Sequence, residues 1–220
     1  MLTKYGYNTI GIISIISFIL LAIGIYANNL PLRIILIFIS ILLMVFTLNF
    51  FRDPDRVPPE EENLIISPAD GRVLFVKEVD ADRYVEGKAV QISIFMSPLN
   101  VHVNRIPITG IVEYVKYHKG EYLVAYDDKA SQLNERSEIG INSEKYGKVF
   151  FSQIAGFVAR RIIYDLKKGD RVKTGERFGM IKFGSRVDVV VPAGWVAKVK
   201  KDDVVKAGET ILFEYAEKAN

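Results

Sequence analysis

The sequence predicts a mainly β domain, sandwich- or barrel-sandwich-like, carried behind an N-terminal two-helix transmembrane hairpin. Three observations point there. Two apolar runs fill most of the first fifty residues. Beyond residue 63, short runs rich in Val, Ile, Phe and Tyr recur between Gly, Pro and Asp. Two turn segments in the last third of the chain echo one another.

Residues 9–27 and 30–51 each approach the roughly 20 apolar residues needed to cross a hydrocarbon core. The first run has no charge. The second carries only Arg33, near its start, where a long side chain reaches the headgroups. Asn28-Asn29-Leu30-Pro31 makes the turn between them. A signal peptide is disfavoured, because no small-residue cleavage site precedes the second run. A buried soluble hairpin is the other alternative. Lys4 precedes the pair and Arg52 and Arg56 follow it, so the excess of positive charge puts both ends, and the main domain, on the cytoplasmic side of the cell membrane. Residues 52–63 are rich in Pro and charge and read as a linker, giving an anchor over 1–51 and a β-rich domain over 64–220.

Within that domain the spacing predicts strands over 71–79, 89–95, 110–117, 148–154, 179–183, 187–191 and 210–215. Residues 156–166 fit a short helix or a strand pair equally well. The echo joins residues 168–176 to 201–209; each reads as a turn with a buried Val and a glycine at the bend. Lipoyl- and biotin-carrier-like sandwiches share its Val-x-x-Gly-Glu pattern, but no lysine tips an obvious carrier hairpin here, so the echo is architectural. An edge-rich β domain on an anchor is compatible with a homodimer.

Composition removes several chemistries. A formal charge of +3 with no basic tract gives no reason to expect nucleic acid. The absence of cysteine excludes disulfides, thiolate metal sites and cysteine nucleophiles. With two histidines and no carboxylates at ligand spacing, no metal is expected.

The residues left for chemistry are few. Ser67-Pro68-Ala69-Asp70-Gly71 is first of all a turn that opens a strand. In Asn100-Val101-His102-Val103-Asn104-Arg105, alternation sets Asn100, His102 and Asn104 on the face opposite the valines. His118 stands beside a turn among charges and reads as solvated, and Asn134-Glu135-Arg136 reads as a solvated loop that positions rather than reacts. Phe183-Gly184-Ser185-Arg186-Val187-Asp188 lies between two apolar segments. Ser185, His102 and Asp70 make a nominal triad. An α/β-hydrolase elbow is disfavoured, because Ser185 is followed by a strand-like run. Backbone self-cleavage uses the same groups differently. Asp70 orients His102, His102 takes the Ser185 hydroxyl proton, and the hydroxyl attacks the Gly184 carbonyl, whose glycine permits the close approach.

These motifs together resemble the short form of phosphatidylserine decarboxylase, a pyruvoyl-dependent membrane enzyme to which archaetidylserine decarboxylase is similar. The resemblance spans two apolar segments, then Phe-Phe-Arg-Asp-Pro at 50–54, Ser-Pro-Ala-Asp-Gly at 67–71, Phe-Met-Ser-Pro-Leu-Asn-Val-His-Val-Asn-Arg at 95–105, Asn-Glu-Arg at 134–136 and Phe-Gly-Ser-Arg-Val-Asp at 183–188. It implies cleavage between Gly184 and Ser185 into a β chain (1–184) and an α chain (185–220). Ser185 becomes a covalent pyruvoyl cofactor, and phosphatidylserine or archaetidylserine in the bilayer is the substrate. It also implies that Asp70 and His102 serve processing and proton transfer. The long bacterial form has a second histidine where Arg105 stands here. Arg105 and Arg136 are the candidates for the lipid phosphate. The rival readings are a membrane-anchored β-sandwich adaptor without catalysis and a membrane-bound serine hydrolase.

Overall fold

The computed structural model describes residues 1–121, 133–156, 161–182 and 185–216 of the chain. These divide into two compact units, Met1–Asp55 and Arg56–Asn220.

The first unit is a helical hairpin, α1 (Tyr7–Tyr26) and α2 (Leu30–Phe50). Asn29 caps α2 by accepting the Leu32 N–H at 3.0 Å, and Pro31 in the first turn loses no helical bond. Gly24 lets the helices approach, since a Cβ there would press on Leu36 and Ile37. The Ser40 hydroxyl donates to the Ser17 carbonyl at 2.7 Å across the pair. Large apolar side chains such as Ile12, Phe18, Phe38 and Leu42 point outward, and both helices are long and apolar enough to cross a membrane. The chain leaves the hairpin where it entered: the Thr3 N–H donates to the Phe51 carbonyl and the Asp53 N–H to the Met1 carbonyl.

The second unit is mainly β, as expected. Its strands are β1 (Leu64–Ile66), β2 (Gly71–Asp82), β3 (Glu86–Met96), β4 (Val103–Arg105), β5 (Gly110–His118), β6 (Arg136–Ser143) and β7 (Gly147–Ala155). They continue as β8 (Arg161–Tyr164), β9 (Arg171–Val172), β10 (Arg177–Lys182), β11 (Ser185–Pro192), β12 (Trp195–Ala197), β13 (Val204–Val205) and β14 (Ile211–Tyr215). An eight-stranded antiparallel sheet runs β13-β2-β3-β11-β7-β6-β5-β9, and two three-stranded sheets run β1-β14-β12 and β4-β10-β8. One face of the large sheet (Val73, Ile92, Ile94, Ile139, Ile141, Val149, Phe151, Val187, Val189) packs with Ile65, Leu212 and Phe213 of one small sheet and Phe178 and Ile181 of the other. This is the single main core.

All seven predicted strands fall on observed ones. Of the undecided stretch, the described part Arg161–Tyr164 is strand, paired with β10. Strand β6 was not expected. Its sequence, Arg-Ser-Glu-Ile-Gly-Ile-Asn-Ser, has too little β propensity to announce itself, and pairing with β5 and β7 on both sides makes it a strand.

The echo has a structural counterpart. Strands β9 and β13, one from each repeat, close opposite edges of the large sheet. The main chain of Val73 exchanges bonds with Asp202 and Asp203, and that of Val112 with Gly169 and Asp170. Each exchange accompanies a register shift, between Val73 and Phe75 and between Val112 and Tyr114, which turns the next aromatic to the opposite face. Gly169 takes φ 97° and Asp202 φ 73° at the equivalent bend. Each of these edge strands is two residues long and pairs only with the start of its neighbour, β13 with Gly71 and Arg72 and β9 with Gly110 and Ile111, so the later parts of β2 and β5 remain outermost in the sheet.

Candidate active site

The site residues gather at one end of the large sheet because the ends of four strands meet there. Strand β2 starts at Gly71, β3 ends at Met96, β11 starts at Ser185 and β7 ends at Ala155. Ser185 is the register partner of both Met96 and Ala155. Gly71 has no room for a Cβ, which would meet the Phe95 carbonyl; the glycine of the Ser-Pro-Ala-Asp-Gly motif is therefore required by packing.

Ser185 is fully buried. Its position in β11 puts it on the same face as Val187 and Val189, the core face. Its hydroxyl donates to the Met96 thioether at 3.2 Å, a weak acceptor. Gly184, the other half of the expected scissile bond, lies outside the described residues.

His102 is also fully buried, in the loop between β3 and β4. Its Nδ1 lies 2.9 Å from the Asn100 carbonyl. A carbonyl only accepts, so Nδ1 carries the hydrogen and the neutral ring keeps its lone pair on Nε2. At Nδ1 the ring is therefore oriented by a main-chain carbonyl, whereas the sequence motif suggests Asp70 for that role. The Asp70 Oδ1 accepts the Ala207 N–H at 2.7 Å, and its Oδ2 pairs with Arg56 at 3.1 Å. Arg56 bridges on to Glu209 at 3.1 Å. A residue assigned to the linker thus holds the motif carboxylate.

Between these groups runs a buried polar chain that the sequence did not announce. Ser137 Oγ donates to Gln153 Oε1 at 2.8 Å, Gln153 Nε2 to Asn104 Oδ1 at 2.8 Å, and Asn104 Nδ2 to the Pro68 carbonyl at 3.2 Å and the Met96 sulfur at 3.9 Å. The available signal was Gln153, a lone amide in the otherwise apolar end of β7.

The two candidate arginines differ. Arg105 is buried on β4, donating its N–H to the Pro68 carbonyl and its Nη1 to the Gly175 carbonyl at 2.9 Å. Arg136 is the register partner of Ile154, which puts it on the sheet face opposite Ser185. There its Nε donates to Glu138 at 2.8 Å. Asn134 and Glu135, expected in a solvated loop, are buried; Asn134 Nδ2 donates to the Ala155 carbonyl at 2.7 Å and ties that loop to the strand end beside Ser185. His118, expected to be solvated, donates from Nε2 to Glu138 Oε2 at 2.9 Å.

Burial and neighbouring charges shift Glu138 and Lys182. Burial pushes the Glu138 carboxyl up, but the Arg136 hydrogen bond, the Arg83 charge and hydrogen bonds from Tyr114 and His118 together hold it below the usual carboxylate range. Lys182, the last residue of β10, is lowered by burial and then by repulsion from Arg161. Among the described residues no group of three or more His, Asp or Glu side chains could hold a metal.

The phosphatidylserine decarboxylase family model matches residues 43–213. The chain is 46% identical over 215 residues to the phosphatidylserine decarboxylase proenzyme of Chlorobium limicola, covering 98% of this chain and all of that one. The proenzyme of Pelodictyon phaeoclathratiforme is 47% identical over 220 residues with the same coverage. That of Salinibacter ruber is 53% identical over 171 residues, 77% of this chain and 75% of its own.

Proposed function

This chain belongs to the phosphatidylserine decarboxylase family, and on that premise we propose that it is a self-processing, pyruvoyl-dependent enzyme that converts phosphatidylserine to phosphatidylethanolamine and CO2. The observation that carries the reading is Ser185: a fully buried serine opening a central strand, tied through Met96 and Asn104 to the turn of Asp70.

Processing starts at the Ser185 hydroxyl. His102 Nε2, basic because Nδ1 is held by the Asn100 carbonyl, takes the Oγ proton as Oγ bonds to the Gly184 carbonyl carbon. The Gly184–Ser185 C–N bond breaks, and the nitrogen keeps the electron pair and takes up the proton, leaving an ester. Loss of the Ser185 Cα proton then expels Gly184 as a carboxylate. The remaining enamine takes up water and releases ammonia, which leaves the pyruvoyl group on the new α chain (185–220), with 1–184 as the β chain. The Asp70 carboxylate favours the imidazolium during these transfers. The surroundings of Ser185 suit such a group, since Met96 and Ala155 shut a reactive ketone away from water. The pyruvoyl ketone, once formed, supplies the electron sink for the carboxylate lost as CO2. His102 is assigned the return of a proton to the substrate carbon.

Residues 1–51 anchor the enzyme, with the catalytic domain on the cytoplasmic side. Anchoring spares the enzyme the extraction of a diacyl lipid, which costs about 0.8 kcal/mol per buried methylene. We keep the lipid phosphate for Arg105 alone, because the Arg136 guanidinium is turned to Glu138 on the far face.

A denaturing gel with intact masses tests the reading. The purified chain should run as two pieces split before Ser185, the smaller with a blocked N-terminus, and should release CO2 from phosphatidylserine vesicles. Ser185→Ala should leave it whole. A wild-type chain that stays uncut under native conditions sinks the proposal.

A further inference from the structure

The polar chain from Ser137 to Met96 has only one possible direction. The Pro68 carbonyl can only accept, so the part of the Asn104 side chain facing it must be the NH2 group. The Asn104 oxygen then faces Gln153, which must present its own NH2 and turn its oxygen to Ser137, whose hydroxyl must donate. All five residues, Ser137, Gln153, Asn104, Met96 and Ser185, are fully buried, so no water competes for these bonds. The Asn104 amide is therefore locked with one N–H on the turn two residues before Asp70. The other is directed at the sulfur that holds the Ser185 hydroxyl. Asn104 also lies two residues beyond His102, in the middle of the short strand β4.

We propose that Asn104, held by Gln153, is the positioning residue for self-cleavage: it fixes the Met96 sulfur, and with it the Ser185 hydroxyl, relative to the turn that carries Asp70. The inference rests on the self-processing reading above. The step it governs is the first one, in which the Ser185 Oγ–C bond forms at the Gly184 carbonyl and the C–N bond breaks. A thioether suits the resting contact, because it fixes the hydroxyl rotor yet accepts too weakly to compete with His102 for the proton.

The test follows cleavage of the full chain during cell-free synthesis into phosphatidylserine-containing liposomes, for wild type, Asn104→Asp, Met96→Leu and the double variant. Asn104→Asp keeps the shape but replaces the N–H donors with an oxygen facing the Pro68 carbonyl. Met96→Leu keeps the bulk and removes the sulfur. Each single change should slow cleavage on the order of 10- to 100-fold, the scale of a misplacement of about 1 Å at a reacting centre. The double variant should be no slower than the slower single one, because both act through the same contact. Hydroxylamine, which cuts esters, should release no more fragments from the Asn104→Asp chain than form without it, since its slow step precedes ester formation and no ester accumulates. Wild-type rates in both folded variants, or additional cleavage of Asn104→Asp by hydroxylamine, overturn the proposal. Should Asn104→Asp fail to fold, Met96→Leu decides alone: slowing supports the proposal and a normal rate overturns it. An uncut wild type instead refutes the self-processing reading itself.

Discussion

Arg186, the residue after the expected cleavage site, is fully buried, and this gives a quantitative test of what holds β11 in place. Its Nε donates to Asp188 Oδ1 at 2.6 Å and its Nη2 to Asp188 Oδ2 at 3.1 Å and Ser93 Oγ at 3.0 Å, with the guanidinium 4.8 Å from the centroid of the Phe75 ring. Asp188→Asn removes the countercharge and keeps one acceptor. Losing one partner of a buried pair costs about 3–5 kcal/mol, and a retained hydrogen bond to a charged group returns about 1.5 of it, leaving roughly 2–4 kcal/mol. At ~2–4 °C per kcal/mol for a domain of this size, the Tm should fall by roughly 4–16 °C. Melting is best followed on the uncleaved Ser185→Ala chain, so that processing does not enter. Arg186→Met with Asp188→Leu should cost less than Asp188→Asn alone, because no charge is then left buried. A fall below about 1 °C for Asp188→Asn, or a double change that costs more than the single, would refute the buried-pair reasoning.

Arg56→Met removes the cation beside Asp70, so the acid limb of the cleavage rate–pH profile should move to higher pH; Arg56→Lys should move it less, and an unmoved limb would separate Arg56 from the chemistry. The lowered Glu138 carboxyl contributes stability that is present above its unfolded value of about 4.3 and is lost as pH falls toward its folded value. Glu138→Gln should therefore lower the Tm near neutral pH and flatten the fall of Tm below about pH 4.5, checked by melting at a series of pH values. Asp70→Asn keeps the acceptor for the Ala207 N–H but loses the charge, so it should stay folded, within a few degrees of the parent Tm, while cleavage drops on the order of 100-fold or more. Circular dichroism and the processing gel check the two halves of that statement.

The strands rich in β-branched residues were legible because their apolar runs lie against the core. What stayed hidden depends on partners distant in sequence. Whether a strand residue faces the core or the far side is decided by parity, and the irregularities after Val73 and Val112 change it without leaving a mark in the sequence. Phe75 and Tyr114 look like core residues, yet they line the far face, with Arg186 and with Glu138. Arg136 is a candidate for the lipid phosphate by residue type and motif, but register puts it on the sheet face opposite Ser185. The orienting partner of His102 is a main-chain carbonyl, which every residue possesses and no motif can display. Arg56 was hidden by its prolines, which mark an irregular path and say nothing of what a guanidinium on it reaches.

The internal repeat separates the two jobs that Asp70 performs. The turn Ser67-Pro68-Ala69-Asp70-Gly71 has a second copy, Ile106-Pro107-Ile108-Thr109-Gly110, at the start of β5. In one copy the Gly208 N–H donates to the Ser67 carbonyl; in the other the Gly175 N–H donates to the Ile106 carbonyl. Thr109 Oγ1 accepts the Thr174 N–H at 3.0 Å where Asp70 Oδ1 accepts the Ala207 N–H at 2.7 Å. A hydroxyl therefore suffices to close this turn, and the fold alone does not require a carboxylate. Thr109 is exposed to solvent, whereas Asp70 is buried, so the Asp70 charge carries a desolvation cost that the equivalent position avoids. That cost is met only in part by Arg56. Closing the turn therefore does not account for the buried negative charge, which fits the role proposed for Asp70 in processing at Ser185.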